Sequence, residues 1–340
     1  MTGRDGNFSE DGQEFFISSS SESEARAVAA LPAKGSEDAS RILGDLELAP
    51  STKDDRAEEY KPAEEIEWVV TIRFPGRPAL DPKAVSALFD EKWRQQYGGF
   101  MAYGRDAAKE RWTYLISADG PKAVTELMFA WDYDETASAV VFQRRLAAVR
   151  STIAKLGHPA EVVASLPSEE AAERAGELQE LKERLEGDAV LVLQAQAGKP
   201  GKPFNGKKMW DVLLSLGLKW GDMDCFHWDN KGEIGDEAHF SVHTSTEPGY
   251  FLPEEVAAGR MNPEDLIFSF SIPRSAAPLK VFDAMVRGAE YCQKRLGGEI
   301  LDQDGEPADV AAIRSQIREI ENELSSAGLI AGLDLALRLF

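Results

Sequence analysis

The most restrictive feature of this chain is a helical stripe that occurs twice. Phe142, Leu146, Val149 and Leu156 lie along one side of a helix read from about Ala137 to Leu156. Phe282, Val286, Ala289 and Leu296 repeat them at one constant spacing in a helix from Leu279 to Leu296. A later charged helix carries Leu178, Leu181 and Leu185, and its counterpart carries Ile317, Ile320 and Leu324. Val70 and Leu191, in strands ahead of the first stripe, match at a shorter spacing, so the second copy holds extra residues in its middle loops, where insertions are tolerated. The pattern predicts a diverged internal duplication, with 66–186 and 188–325 superposing strand for strand and helix for helix. The alternative is two unrelated modules that share one element order.

The other elements follow from local chemistry. Trp68, Val70, Ile72 and Phe74 alternate with Val69, Thr71 and Arg73, which is a half-buried strand stopped by Pro75-Gly76. Asp81-Pro82 opens a helix that runs to about Tyr97, and Gly98-Gly99 ends it. Strands are expected around Phe100–Tyr103, Trp112–Ser117 and Leu127–Tyr133. In the second half they are expected at Ala189–Gln194, Asp224–Trp228, Phe240–Thr244 and Leu266–Ile272, with a helix from Gly206 to Leu216. The resulting division is a tail over 1–63, modules over 64–187 and 188–326, and an apolar end over 327–340.

Composition separates the tail from the modules. Ser18-Ser19-Ser20-Ser21, scattered acidic residues and few aromatics cannot bury enough apolar area to offset the entropy of ordering, so disorder is expected there. Within it, Ile42, Leu43, Leu46 and Leu48 stand near helical spacing, either as an apolar accident or as a short docking motif. At the other end, Leu329 to Phe340 would be an aggregation liability unless it docked. It is read either as a helix extension on the back of a domain or as a segment in a groove of one module, which would permit self-association.

Charge and cysteines exclude several classes. With 38 Lys+Arg against 59 Asp+Glu the formal net charge is −21, and no clustered basic face exists for nucleic acid or a polybasic membrane contact. Cys225 and Cys292 cannot build a disulfide framework and stand in no CxxC, which points to a reducing, cytoplasmic setting. The first residues hold no apolar signal segment, and no window reaches the ~18 apolar residues of a membrane span. No nucleotide loop, nucleophile elbow or HExxH motif occurs, so neither an enzyme nor a cofactor is expected. Asp302-Gln303-Asp304-Gly305-Glu306 breaks the ligand register of a calcium loop. His239 and His243 are four apart in a strand, ~13 Å between Cα atoms, so they do not form a metal pair.

The stretch Gly217-Leu218-Lys219-Trp220-Gly221-Asp222-Met223-Asp224-Cys225-Phe226-His227 resembles the C-terminal domain of ZipA, the bacterial cell-division protein that binds FtsZ. Phe204-Asn205-Gly206, Phe240-Ser241, Pro248-Gly249-Tyr250-Phe251, Phe282-Asp283 with Met285, and Leu296-Gly297-Gly298-Glu299-Ile300-Leu301-Asp302 extend the match over about 188–325. The resemblance implies an α+β fold, in which an antiparallel sheet is covered on one face by helices. The open face would be a shallow apolar dock for the C-terminal tail of FtsZ or a similar peptide, without catalysis or cofactor. No counterpart of the family's membrane anchor is expected here, and a second module is expected where its linker would be. The expectation is therefore a cytoplasmic adaptor, recruited to the inner-membrane division site through its partner. A scaffold serving another partner outside division is the alternative.

Residues two apart in a strand share a face. Leu266, Phe268, Phe270 and Ile272, and Phe240, Val242 and Thr244, are assigned to the core. Val190, Val192, Gln194, Asp222, Cys225, His243, Ser245, Ile267 and Ser269 are assigned to the open face as partner-binding positions. Where the family carries large apolar side chains, Ser245 and Ser269 present hydroxyls. His227, inside the shared motif, is read as a structural hydrogen-bonding residue.

Overall fold

The computed structural model describes residues 21–31, 39–44, 46, 59–118, 120–133, 138–195 and 202–340. Contacts divide the chain into two units, one built on the described residues of 51–186 with 338–340 and the other on 187–337 together with the described residues before 50. The disorder expected for 1–63 falls largely outside the described residues. Within that segment the structure places two helices, α1 (Ser21–Ala30), which is not expected from the sequence, and α2 (Ala39–Leu43), at the apolar patch noted near helical spacing.

The first module runs β1 (Glu67–Arg73), α3 (Pro82–Ala87), α4 (Glu91–Tyr97), β2 (Met101–Asp106), β3 (Trp112–Tyr114), β4 (Val124–Asp132), α5 (Ala139–Ile153), β5 (Glu161–Ala164) and α6 (Ser168–Leu185). Its sheet has the order β3-β2-β4-β1-β5 and every pair is antiparallel. The helix expected from Asp81 to Tyr97 is two helices. Asp90 adopts extended backbone and its carboxylate accepts from Trp93 N at 2.9 Å, so it caps a new start rather than continuing the old helix.

The second module runs β6 (Asp188–Gln194), α7 (Gly206–Ser215), β7 (Lys219–Trp220), β8 (Phe226–Asp229), β9 (Ala238–His243), α8 (Pro253–Ala257), β10 (Asp265–Ser271), α9 (Pro278–Leu296), β11 (Glu299–Leu301), α10 (Val310–Ser326) and α11 (Asp334–Leu339). Its sheet order is β11-β6-β10-β9-β8-β7, again antiparallel throughout. Both modules are thus α+β sheets with helices packed on one face, as the resemblance implies.

The duplication holds in register for part of each sheet and fails for one hairpin. Val70 stands opposite Phe129 and Ile72 opposite Val162. Leu191 stands opposite Phe268 and Leu193 opposite Ile300 in the same arrangement. On the helical side Phe142 and Phe282 are fully buried, as are Val149 and Ala289. Beyond these strands the order departs from strand-for-strand equivalence. In the first module the earlier hairpin strand, β2, lies inside and β3 forms the edge. In the second the later strand, β9, lies inside and β8 outside. In each hairpin the six-residue member lies next to the shared frame, with three-residue β3 and four-residue β8 farther out.

The apolar end is seated on the second module. Gly332 N donates to Pro273 O at 2.9 Å, and Gly235 N donates to Gly332 O at 2.8 Å. Gly332 has φ +71 and a Cβ there would fall 2.4 Å from Ala276 Cα, so only glycine fits. The segment passes from α10 round the end of the sheet, where Arg274 Nη1 donates to Leu337 O at 2.9 Å. Leu337 lines the same groove as His227, Ser241 and Ser269.

Phe268 is fully buried between Leu191 and Val242, whereas its neighbour Ser269 lies on the partly exposed face. Phe268→Ala is expected to destabilise the protein by about 3–5 kcal/mol in urea unfolding, and Ser269→Ala by less than about 0.5 kcal/mol.

Candidate binding face of the second module

The helices cover one side of the second sheet, and the other side is built from two rows of side chains. Ladder partners share a face. One row therefore reads Leu301, Val192, Ile267 and His243 across β11, β6, β10 and β9. The neighbouring row reads Val190, Ser269, Ser241 and His227 across β6, β10, β9 and β8. Burial alternates as the sequence pattern requires. Leu191, Leu193, Phe268, Phe240 and Val242 are buried, while Val190, Val192, Ser241, His243, Ile267 and Ser269 are partly exposed. The first row is apolar over three strands and the second is mostly polar.

The structure brings most of the expected positions together, with two qualifications. Gln194 and Ser245 lie at one end of the face and are engaged internally. Gln194 Nε2 donates to Glu264 O at 3.0 Å. Ser245 donates through both its backbone N, at 2.8 Å, and its hydroxyl to Asp265, a nearly fully buried carboxylate that Thr244 Oγ1 also reaches at 2.8 Å. Removing a partner from a carboxylate buried this way is costly, so Ser245, itself exposed, also clamps this end of the face. Sequence reasoning missed it because Asp265 precedes the apolar run without any pattern of its own.

At the other end stands His227. Its Nε2 lies 2.8 Å from the backbone O of Asp222, which can only accept, so Nε2 carries the proton and donates. Nδ1 then accepts from the Ser241 hydroxyl at 2.8 Å. This chain pins the 222–224 turn, where Met223 and Asp224 sit at φ 53 and 56 and Met223 is 80% exposed. Cys225 Sγ donates to Met223 O at 3.3 Å. The Cys225 thiol is pushed up by burial and by the neighbouring Asp224 and Asp222 carboxylates, which keeps it protonated and a poor nucleophile. Met223 was not among the expected contact residues, although its place beside the face makes it the most exposed apolar side chain of the second module.

Adjoining this end is an open groove of about 1110 Å³. Asp222, Met223, His227, Ser241 and Ser269 line it, together with Leu337 of the apolar end. Its charged rim is largely self-paired. Lys219 pairs with Asp229, and Arg274 grips Asp236 through Nε at 2.8 Å and Nη2 at 2.9 Å. Among the described residues no cluster of His, Cys, Asp or Glu could hold a metal ion, and no helix is long and apolar enough to cross a membrane.

In the first module the matching face is aromatic. Register places Tyr103 where the second module has His243, Met101 where it has Ser241, and Met128 where it has Ile267. Tyr103 stacks on Tyr114 at 5.3 Å and its hydroxyl is pushed up to about 12, chiefly by burial and then by Glu67 and Tyr114.

These features define a class: an open-faced antiparallel sheet on a helical back, with a shallow and partly apolar face and no convergent reactive groups. Residues 190–319 match the family model of the ZipA C-terminal FtsZ-binding domain. The cell division protein ZipA of Marinobacter nauticus is 31% identical over 146 residues, 42% of this chain and 42% of that relative. The ZipA of Shewanella loihica is 34% identical over 113 residues, 33% of each chain, and that of Pseudomonas fluorescens 27% over 121 residues, 36% of this chain and 41% of the relative. The chain spans less than half the length of these relatives. The resemblance seen in the sequence is thus borne out for the second module.

His239 and His243 both titrate below the ordinary histidine range, because burial disfavours the imidazolium; Asp265 and Asp188 offset this in part at His243. The unfolded chain therefore binds more protons through this window, and the stability these groups contribute is present above about pH 6.5 and lost as pH falls. The melting temperature is expected to drop between pH 7 and 5, and His239→Gln to shrink that drop, as read by differential scanning fluorimetry.

Proposed function

We propose that the chain is a non-enzymatic adaptor of bacterial cell division whose second module binds the C-terminal tail of FtsZ, or a peptide like it, on the open sheet face. The observation that carries this is the apolar pair Val192 and Ile267, partly exposed on the one sheet face that the helices leave open and flanked by buried Leu301, inside the stretch that matches an FtsZ-binding domain. Val190, Val192, Cys225, His243, Ile267 and Ser269 make the contact surface, Met223 and Asp222 its rim, and Gln194 and Ser245 its supporting end. Recruitment to the division site then runs through the partner.

The polar second row sets the strength. Ser269 and Ser241 offer hydroxyls beside Ile267, so less apolar area is buried than with large side chains there, at about 25 cal/mol per Å². Micromolar or weaker affinity follows. The same row favours a second reading, in which the module serves a more polar partner outside division. Capture from a native lysate that returns some other protein and no FtsZ would favour it.

The test is fluorescence anisotropy with a labelled FtsZ tail peptide and the full chain. Ile267→Asp should weaken binding at least ~10-fold and Ser269→Phe should tighten it by about the same factor, since a buried aromatic contributes ~1.5–3 kcal/mol. With an acidic tail, affinity should rise with salt, because Asp188 and Asp222 border the site. Binding that ignores Ile267→Asp would remove the sheet face as the site.

A further inference from the structure

The helical back of the second module carries a contact that the matched family stretch does not include. Leu43, at the end of α2, is only 3% exposed. It sits over Gly288 of α9, where an added Cβ would lie 3.4 Å from Leu43 Cδ2 and 3.9 Å from Leu216 Cδ1 and Phe240 Cζ. The missing side chain at 288 is therefore a notch that opens onto buried Leu216 and Phe240, and Leu43 plugs it. Beside the notch, Arg287 Nε donates to Ile42 O at 2.7 Å and Arg287 Nη2 to Leu43 O at 2.9 Å. Those carbonyls end a helix and have no partner within it. Gly44 follows at φ +80, the left-handed position that closes a helix and favours glycine. Ahead of it α1 packs on α8, with Ala27 and Leu31 buried.

The recognition divides cleanly. The Arg287 fork reads backbone carbonyls, whatever the sequence, whereas the notch reads one leucine and the turn reads one glycine. We infer that the Arg287–Gly288 notch is a second peptide-docking site, on the face opposite the sheet surface, and that its ligand is the chain's own Ile42-Leu43-Gly44, held in cis as an exchangeable latch. A five-residue helix has no stability of its own and forms only on docking. One leucine and two hydrogen bonds make a weak site, but a tether supplies an effective concentration of roughly mM and keeps it filled. The two faces are then independent, so the module carries its own segment on the back while the sheet face stays open.

The test uses the full chain and a fluorescent peptide copying residues 38–46. Wild type, with its site filled in cis, should bind the peptide at least ~10-fold more weakly than the Leu43→Asp chain, whose latch is released. Adding Arg287→Ala to Leu43→Asp should remove the binding. Equal binding by wild type and Leu43→Asp, or none by Leu43→Asp, overturns the proposal. A second variant guards against misfolding. Gly288→Leu fills the notch from α9 and should speed tryptic cleavage after Arg41 by at least ~10-fold at an unchanged melting temperature. Unchanged cleavage overturns the proposal. A concentration-dependent dimer of the wild type that Leu43→Asp dissociates would place the segment on a second copy and overturn the cis assignment.

Discussion

Phe268 is the residue on which the second module turns. It is fully buried, and the ladders set Leu191 on one side of it and Val242 on the other, with Phe226 beyond. A strand has a side-chain period of two, so a slip of one residue would send Phe268 outward and Ser269 into the core. The composition of the open face is therefore the complement of the core. Val192, Ile267 and His243 are outside because Leu191, Phe268 and Val242 must be inside. The same constraint operates in the first module through Val70 and Phe129, and it leaves Val69, Met128 and Tyr103 on the other side.

One frame thus supports two different surfaces. The shared frame is β5-β1-β4 with α5 and its counterpart β11-β6-β10 with α9, matched residue for residue in register. Divergence is concentrated in the hairpin, where the longer strand takes the inner position, and in the outward-facing side chains. In the first module this side carries a largely buried aromatic cluster, with Tyr114 in ring contact with both Tyr60 and buried Tyr103. The second has an apolar row beside a row of hydroxyls and imidazoles. Residues that support the face, such as Asp265 and His227, act by fixing its ends: one holds Ser245 and Thr244, the other holds the turn that presents Met223.

Much of this was legible in the sequence because it is periodic. Alternation in Leu266–Ile272 assigned inside and outside correctly, and the stripe through Phe142 and Phe282 located the helices over both sheets. What lacked period was not legible. The break at Asp90 depends on one capping carboxylate. The seat of Leu43 depends on an absence, the side chain that Gly288 lacks, and on an arginine 244 residues away in sequence whose partners are backbone carbonyls. The bonds from Thr244 and Ser245 to Asp265 were not legible either, since two adjacent polar residues give no sign of which buried group they serve.

The central claim is that a peptide partner lies along the apolar row of the second module's open face. A crystal structure of the full chain with a bound FtsZ tail peptide tests it most directly. The account predicts peptide side chains packed on Val192 and Ile267, with Met223 at one end and the Asp265 clamp at the other. A peptide seated on the helical back, on the first module, or only in the charged groove between Lys219 and Arg274 would contradict it.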